Sequence, residues 1–167
     1  IAVLKQQSFT NNIVPYKRGD IKDRNGNILA TSTVVYNMVV DAKMLSKEEN
    51  QEYLQPTIDA VVKYFGLNTD DLKTSIKEHS TTSYWIAQKD ISYDKVKEFK
   101  SYCNGDYAKT DLEKEQAAAV KFIYFEKEYK RVYPYDTLAC SVLGFANKKN
   151  EANIGIESSY NSYLKGT

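Results

Sequence analysis

The stretch Arg18–Ala30 is the part of this 167-residue chain whose local structure is most restricted by its residues. It contains the dipeptide Asn25-Gly26, and both residue types tolerate positive φ. Such a dipeptide between two short runs that can form strands is typical of a type I′ β-hairpin. We therefore predict strands at 21–24 and 27–31, with Asn25-Gly26 as the two central turn residues.

The same stretch carries more charge than a hairpin needs. Two arginines and two aspartates lie between positions 18 and 24, and the only other arginine of the chain is Arg131. Arginine makes bidentate ion pairs of fixed geometry, which lysine does not. Two interpretations are open at this point: these charges are solvated and incidental, or some of them are fixed partners of distant groups.

Composition excludes several functional classes. The formal net charge is +1, which gives no electrostatic footprint for nucleic acid. The single histidine, His79, has no cysteine near it in the sequence, so we predict no zinc site and no cofactor. Cys103 and Cys140 are far apart in the sequence, and whether they pair is left open. No run of about 18 apolar residues that would span a membrane is present.

The order of the predicted elements is β, then α, then β. After the hairpin we predict a strand at 34–40, and a long strand at 122–131 returns to β structure. Between them, capping signals predict helices that begin at Ser46 (a capping box with Glu49), Thr69, Ser92 and Thr110 (with Glu113). Pro56 either kinks the first of these helices or opens another that ends at Gly66. Short helices follow at 138–143 and at 158–164, the last ending at Gly166.

This order predicts an α+β fold. We assign residues 1–45 and 120–167 to a mixed β pedestal built from the two ends of the chain. Residues 46–119 form an inserted helix-rich head lobe.

No residue pattern supports catalysis or metal binding by this chain. The spacing Ser-x-x-Lys, in which a lysine activates a serine nucleophile, occurs as Ser92…Lys95 and Ser162…Lys165, about as often as chance gives in a lysine-rich chain. No Lys-Thr-Gly sequence accompanies either pair. Asp23-x-Asn25-x-Asn27 is similar to the start of a calcium loop, but Val34 stands where that loop has a glutamate.

Three stretches together resemble the N-terminal pedestal, or dimerisation domain, of class B penicillin-binding proteins. Arg18–Ala30 matches every fixed position of that family's Arg-Gly-x-Ile-x-Asp-Arg-x-Gly-x-x-Leu-Ala motif. The second stretch is Arg131-Val132-Tyr133-Pro134 with Gly144, and the third is Gly155-Ile156-Glu157. The resemblance assigns a structural or interdomain role to Arg18, Gly19, Asp23, Arg24, Gly26, Arg131, Tyr133, Pro134, Gly144, Gly155 and Glu157.

The resemblance implies a non-catalytic scaffold within a membrane-anchored peptidoglycan D,D-transpeptidase of the division or sporulation type from a Gram-positive bacterium. An anchoring helix would precede residue 1, and a penicillin-binding domain would follow Thr167. The module would then lie at the outer face of the cytoplasmic membrane. Its partners would be its own C-terminal transpeptidase domain, a polytopic glycosyltransferase and other cell-wall synthesis proteins, with a homodimer as a further option and no nucleic acid. The alternatives are a self-standing penicillin-recognising serine enzyme and a free peptidoglycan-binding module.

The motifs together lead to a structural hypothesis. All three arginines fall in the first two motifs, and Glu157 lies in the third. We expect Arg18 or Arg24, with Asp23, Arg131 and Glu157, to form a partly buried network of ion pairs that ties the hairpin to the last segment of the chain.

Overall fold

The computed structural model describes residues 17–135, 140–147, 151–152 and 154–165, and it has the predicted α+β fold. Its strands are β1 (Ile21–Lys22), β2 (Ile28–Val40), β3 (Trp85–Ile91) and β4 (Ile123–Val132). Its α-helices are α1 (Ala42–Leu45), α2 (Gln51–Phe65), α3 (Thr69–Glu78), α4 (Tyr93–Cys103), α5 (Asp111–Ala118), α6 (Cys140–Leu143), α7 (Gly155–Ser159) and α8 (Asn161–Leu164). A 3-10 turn, Glu48–Asn50, precedes α2. Strand β2 pairs with β1, β3 and β4, and its pairings with β1 and β3 are antiparallel.

The chain divides into two compact units. The first combines the residues up to Thr33 with those from Arg131 onward, and the second is Val34–Lys130. Strands β2 and β4 contribute residues to both units. The predicted boundaries of the pedestal (1–45 and 120–167) and of the head lobe (46–119) differ from this division. They stay a prediction, because packing alone does not reveal which residues act as a functional lobe.

The first unit is built on the hairpin of β1 and β2. Ile21 lies opposite Ala30, and both are buried together with Leu143 of α6. Four partly buried side chains pack around this small core: Leu29, Tyr133, Ile156 and Leu164. The residues that close the core therefore come from widely separated parts of the sequence.

The hairpin turn differs from the predicted type I′ turn. The N–H of Gly26 donates to the carbonyl of Asp23, so Arg24 and Asn25 are the central residues, and only Gly26, at φ +86°, has a left-handed conformation. The Asp23 carboxylate accepts from the backbone N–H groups of Asn25 and Asn27 and from the Asn27 side chain, each at 2.8 Å. These three bonds favour a three-residue loop with a glycine bulge over the two-residue turn. Strand β1 accordingly ends at Lys22, before the predicted end at 24, and β2 begins at Ile28, after the predicted start at 27.

The second unit has a larger core, formed where helices pack on β2, β3 and β4. Met38 and Val40 of β2 are buried against Ile58 and Val61 of α2. Further buried side chains come from α2, α3, β3 and α4: Phe65, Leu72, Ile76, Ile91, Val96 and Phe99. Apolar residues at helical spacing produce this face on each helix.

Several predicted helix ends are confirmed. Gly66 ends α2 at φ +72°, Ser92 is the N-cap of α4, and Thr110 with Glu113 forms a reciprocal capping box at α5. Helix α2 continues through Pro56. The predicted strand at 34–40 lies within β2, and the one predicted at 122–131 is found as β4, one residue later at each end.

Other predicted boundaries are wrong. Ser46 ends α1 instead of starting a helix, because Asp41 accepts the N–H of Met44 and caps that short helix first. Helix α3, by contrast, begins at Thr69 as predicted, and Asn68 is its N-cap, whose side chain accepts the N–H groups of Asp70 and Asp71. The predicted helix at 158–164 is two short helices, α7 and α8, which meet at Tyr160. The predicted helix start at Leu138 and helix end at Gly166 lie outside the described residues.

Candidate interaction site: a buried arginine–glutamate cluster

Glu157 is the centre of a buried ionic cluster in the first unit. It lies in the first turn of α7 and is fully buried. Its Oε2 accepts the Nε–H of Arg18 at 2.6 Å, and its Oε1 accepts the Nε–H of Arg131 at 2.8 Å. The exposed fractions are 0% for the Arg18 and Glu157 side chains and 4% for that of Arg131. One carboxylate therefore joins two guanidinium groups out of contact with water.

Arg18 is bound on more than one side. Its Nη2–H donates to the backbone carbonyl of Glu157 at 2.7 Å, and its Nη1–H donates to Oδ1 of Asn161 at 2.8 Å. Asn161 is the first residue of α8, so this guanidinium contacts both terminal helices. The planar fork of arginine allows this set of bonds, which a lysine ammonium would not make in the same geometry.

Arg131 connects β4 to the backbone ahead of β1. Its Nη1–H donates to the carbonyl of Gly19 at 2.7 Å and approaches the hydroxyl of Ser32 at 3.2 Å. The Ser32 hydroxyl in turn donates to the carbonyl of Arg18 at 3.2 Å. The Nη2 atom of Arg131 is buried and makes no hydrogen bond with the described part of the chain.

Tyr133 extends the cluster toward the segment after α6. Its hydroxyl donates to Oε1 of Glu157 at 3.2 Å and accepts the N–H of Ala146 at 2.9 Å. Burial raises the pKa of Tyr133, and the nearby carboxylate of Glu157 raises it further. The phenol is therefore held as a neutral donor to Glu157.

Two glycines permit the backbone approach that places Glu157. Gly144 and Gly155 have φ of +74° and +67°. A Cβ on Gly155 would lie 2.5 Å from the carbonyl oxygen of Val142, and one on Gly144 would overlap the carbonyl oxygen of Ile154. Only glycine fits at both positions, because any side chain would collide with backbone.

Gly19 takes part in the site through its backbone and not through its small size. Its N–H donates to the carbonyl of Leu164 at 2.9 Å, and a Cβ there would be in ordinary contact with the Leu164 side chain at 3.4 Å. This bond holds the residue after Arg18 against the end of α8.

The remaining predicted motif residues lie outside the cluster. The Asp23 carboxylate is used within the hairpin loop, where the side-chain bond from Asn27 lowers its pKa. Arg24 and Gly26 are exposed in the same loop, and Pro134 is exposed in the turn after β4. The network hypothesis is therefore confirmed for Arg131, for Glu157 and for Arg18, which is the arginine found of the two alternatives Arg18 and Arg24, and it is wrong for Asp23. An interdomain role for the whole motif set stays a prediction.

Sequence reasoning missed two members of the cluster, Asn161 and Ser32. Asn161 follows Glu157 by four residues, a spacing that places both on one side of a helical segment. That signal was available once Arg18 and Glu157 had been paired. No sequence pattern indicated Ser32, because it lies outside the three motifs.

The serine–lysine pairs have none of the features of an activated nucleophile. Ser92 and Lys95 are exposed at the start of α4, and Ser162 is exposed in α8. A serine nucleophile needs a base held within hydrogen-bond reach. Neither pair makes such a bond within the described residues.

The other chemistry-bearing side chains are also in structural positions. His79 ends α3, where its Nδ1 lies 2.8 Å from the carbonyl of Ser75 and its ring stacks on Trp85. Cys103 is a free thiol whose pKa is raised by burial. Within the described residues, no group of three or more His, Cys, Asp or Glu side chains is placed to hold a metal ion.

The fold and the cluster define a structural module in which segments distant in sequence are joined by buried ion pairs. Residues 13–167 match the family model described as the Penicillin-binding Protein dimerisation domain. The chain belongs to this family of penicillin-binding protein dimerisation domains.

Named relatives agree with this assignment. The chain is 25% identical over 150 residues to the peptidoglycan D,D-transpeptidase FtsI of Buchnera aphidicola subsp. Baizongia pistaciae, covering 90% of this chain and 23% of the relative. It is 28% identical over 170 residues to the stage V sporulation protein D of Bacillus subtilis (strain 168), covering 98% and 22%. It thus spans under a quarter of the length of these relatives.

A solved structure supports the fold. Penicillin Binding Protein 2X from Streptococcus thermophilus superposes with a TM-score of 0.61 at 24% identity, over 92% of this chain and 23% of that one.

Among the described residues of the present chain, no helix combines the length and the apolar character needed to cross a membrane.

Proposed function

We propose that this chain is a non-catalytic scaffold module of a peptidoglycan D,D-transpeptidase. Such a protein would be anchored at the outer face of the bacterial cytoplasmic membrane by a helix upstream of residue 1. The family assignment and the transpeptidase names of relatives such as FtsI support this proposal.

The observation that carries the proposal is the buried Arg18–Glu157–Arg131 cluster. It joins the start of the hairpin, the end of β4 and the helix α7, which are separated by up to 139 residues in the sequence. Its charged groups are shielded from solvent, so they have no access to a substrate. A cluster of this kind holds segments in a fixed arrangement, which is what a scaffold requires.

The partners that follow from this role are proteins. The nearest is the module's own transpeptidase domain, which the terminal segment α7–α8 would lead into. A polytopic glycosyltransferase and other cell-wall synthesis proteins would be further partners. A homodimer is the alternative for which the family description provides a reason.

A fluorescent penicillin tests the absence of catalysis. The purified chain is incubated with the reagent and then denatured, with a complete penicillin-binding protein as the positive control. We expect no covalent label on this chain, since within the described residues neither serine makes a hydrogen bond to its lysine. A labelled band that is lost in a Ser92→Ala or Ser162→Ala variant would instead establish a serine enzyme.

Binding to the transpeptidase domain tests the scaffold role directly. The chain and the transpeptidase region of the same gene are produced as separate polypeptides and titrated by calorimetry. We expect a saturable one-to-one complex. The absence of heat and of co-elution, with both polypeptides folded, would contradict the proposal.

A further inference from the structure

A groove on the second unit lies between α2, the C-terminal end of α4 and α5. It consists of two adjoining hollows of about 170 and 290 Å³, and Tyr102 and Gln116 line both of them. Gln55, Asp59 and Lys63 line it at intervals of four residues along α2, so it follows that helix for about 12 Å. Together the hollows reach the lower part of the size range of small-ligand sites, roughly 300–1,000 Å³.

The aromatic wall of the groove is fixed by the core beneath it. The rings of Tyr64 and Tyr102 are 5.1 Å apart, and Tyr64 packs edge-on against the buried Phe99. The Nζ of Lys63 lies 5.4 Å from the centroid of each tyrosine ring. At this distance the ring faces attract the ammonium, so Lys63 is held at the groove rather than extended into solvent.

The two carboxylates at the groove already accept hydrogen bonds from groups of the protein. Glu113 accepts the backbone N–H groups of Lys109 and Thr110 at 2.6 and 3.1 Å, and these bonds lower its pKa. Asp59 accepts the side-chain amide of Gln55 at 2.6 Å. Both carboxylates are therefore already used within the protein, Glu113 at the N-terminus of α5 and Asp59 along α2.

The other polar groups are available to a ligand. The hydroxyls of Tyr64, Tyr102 and Tyr107, the amide of Gln116 and the ammonium of Lys63 line the groove. None of them makes a hydrogen bond to the part of the chain that the structure describes. All of these groups can donate hydrogen bonds, and all except the Lys63 ammonium can also accept them; they come from three helices and one loop.

This combination fits a saccharide better than other classes of small ligand. Sugar hydroxyls and carbonyls accept hydrogen bonds from such donors, and the C–H face of a sugar ring packs on an aromatic ring such as Tyr107, which is 58% exposed. An apolar ligand would leave these polar groups unpaired. A multiply charged anion would face Asp59 and Glu113, and a metal cation would face Lys63.

We propose that this groove binds an oligosaccharide through Lys63, Tyr102, Tyr107 and Gln116. The glycan strands of peptidoglycan consist of N-acetylated sugars and are the oligosaccharide within reach of a cell-wall protein; this choice of ligand rests on the proposed function. The groove shares no residue with the Arg18–Glu157–Arg131 cluster, so failure of this inference leaves the scaffold role untouched.

Titration of the chain with chitotetraose, a β-linked oligomer of N-acetylglucosamine, tests the inference by heteronuclear NMR. We expect saturable shifts of the Tyr107 backbone signal and of both Gln116 amide signals. Tyr107→Ala and Gln116→Ala should each raise the Kd about two- to tenfold, the effect of one lost contact or hydrogen bond.

Tyr93→Ala is the matched control. Tyr93 is 57% exposed, like Tyr107, but lies at the opposite end of α4 from Tyr102. Its variant should keep the parent Kd. The inference is wrong if millimolar chitotetraose shifts no groove signal, or if both groove variants bind as the parent does. Equal affinity for maltotetraose would retain the saccharide site and overturn the choice of an N-acetylated glycan.

Discussion

Arg18 is buried with its charge matched by Glu157 and with donors directed at Glu157 and Asn161. Burying such a pair has a desolvation cost that the pair itself offsets, so its net contribution to stability is modest. Removing Arg18 is different, because Oε2 and the backbone carbonyl of Glu157 and Oδ1 of Asn161 would lose their donor, and Glu157 would keep only Arg131 as a counterion. The consequence of this asymmetry is measurable with single substitutions.

Arg18→Ala should lower the free energy of unfolding by about 3–5 kcal/mol, the usual effect of breaking a buried ion pair. Urea unfolding followed by circular dichroism measures it. Arg24→Ala is the matched control, since Arg24 is an exposed arginine in the same motif and should change stability by no more than about 0.5 kcal/mol. Equal midpoints for the two variants would show that the cluster contributes nothing to stability.

The lowered pKa of Asp23 leads us to expect a pH effect confined to the hairpin loop. The bond from the Asn27 side chain, followed by that from the Asn27 backbone, lowers the Asp23 pKa below its ordinary 3.8. A carboxyl whose folded-state pKa is depressed stabilises the fold above its unfolded pKa, and this contribution is lost as the pH falls through the folded pKa. The loop should therefore keep its structure through mildly acidic pH and change only below pH 3.8.

Carboxyl NMR of Asp23, with the amide signals of Asn25 and Asn27, measures this titration. Asn27→Ala removes the side-chain donor and should move the Asp23 pKa upward, toward the ordinary value. A parent midpoint at or above 3.8 would contradict the role of these bonds.

Among the elements, the contact between the end of α6 and the start of α7 depends most strictly on residue type. Gly155 and Gly66 have similar positive φ, +67° and +72°, but different surroundings. A Cβ on Gly66 meets nothing within 4 Å, whereas one on Gly155 meets the backbone of Val142, Leu143 and Gly144. The two glycines therefore separate conformational strain from steric exclusion.

Gly66→Ala should cost about 1–2 kcal/mol, the penalty for a left-handed non-glycine residue. Gly155→Ala should cost that amount plus about 1–3 kcal/mol for overpacking, because the atoms that it meets belong to backbone. It should also displace Glu157 and so weaken its bonds to both arginines. Thermal unfolding compares the two variants. Similar losses of Tm would mean that the backbone around Gly155 shifts at little cost to make room for the added methyl group.

At this scale the sequence predicted most elements but fewer of their ends. Helices at 58–65, 93–103 and 111–118 were recognisable because their apolar periodicity and caps agree with the packing. The hairpin turn was not, since Asn25-Gly26 and the Asp23 side chain favour different loops and only the folded geometry decides between them. Ser46 misled for a similar reason: its capping signal competes with that of Asp41, which is the cap that forms. The cluster was partly predictable, because three arginines in a lysine-rich chain are conspicuous.

For the molecule as a whole, each unit has its own core. Every buried residue of the larger core, from Met38 to Phe99, lies within Val34–Lys130, and the partly buried residues that pack on it extend only to Phe125. The smaller core of Ile21, Ala30 and Leu143 lies within the first unit. The predicted boundaries at 45/46 and 119/120 lie nearer the helices, because the sequence pattern marks residues 38–40 and 122–125 as strands without indicating the core in which they pack. As the limits of a functional lobe these boundaries stay a prediction.

Residues 34–130, produced alone, should therefore fold cooperatively. The fragment keeps the complete larger core, including the contacts of Phe65, Phe99 and Phe125, whose ring centroids lie 5.1–5.8 Å apart. It also contains the chain's single tryptophan, Trp85, so fluorescence reports its unfolding directly. A sigmoidal urea transition that coincides by fluorescence and circular dichroism is the expected result. Phe99→Ala in the same fragment should remove about 3–5 kcal/mol and abolish or greatly weaken that transition. A parent fragment that unfolds without a cooperative transition would mean that the larger core needs the first unit in order to form.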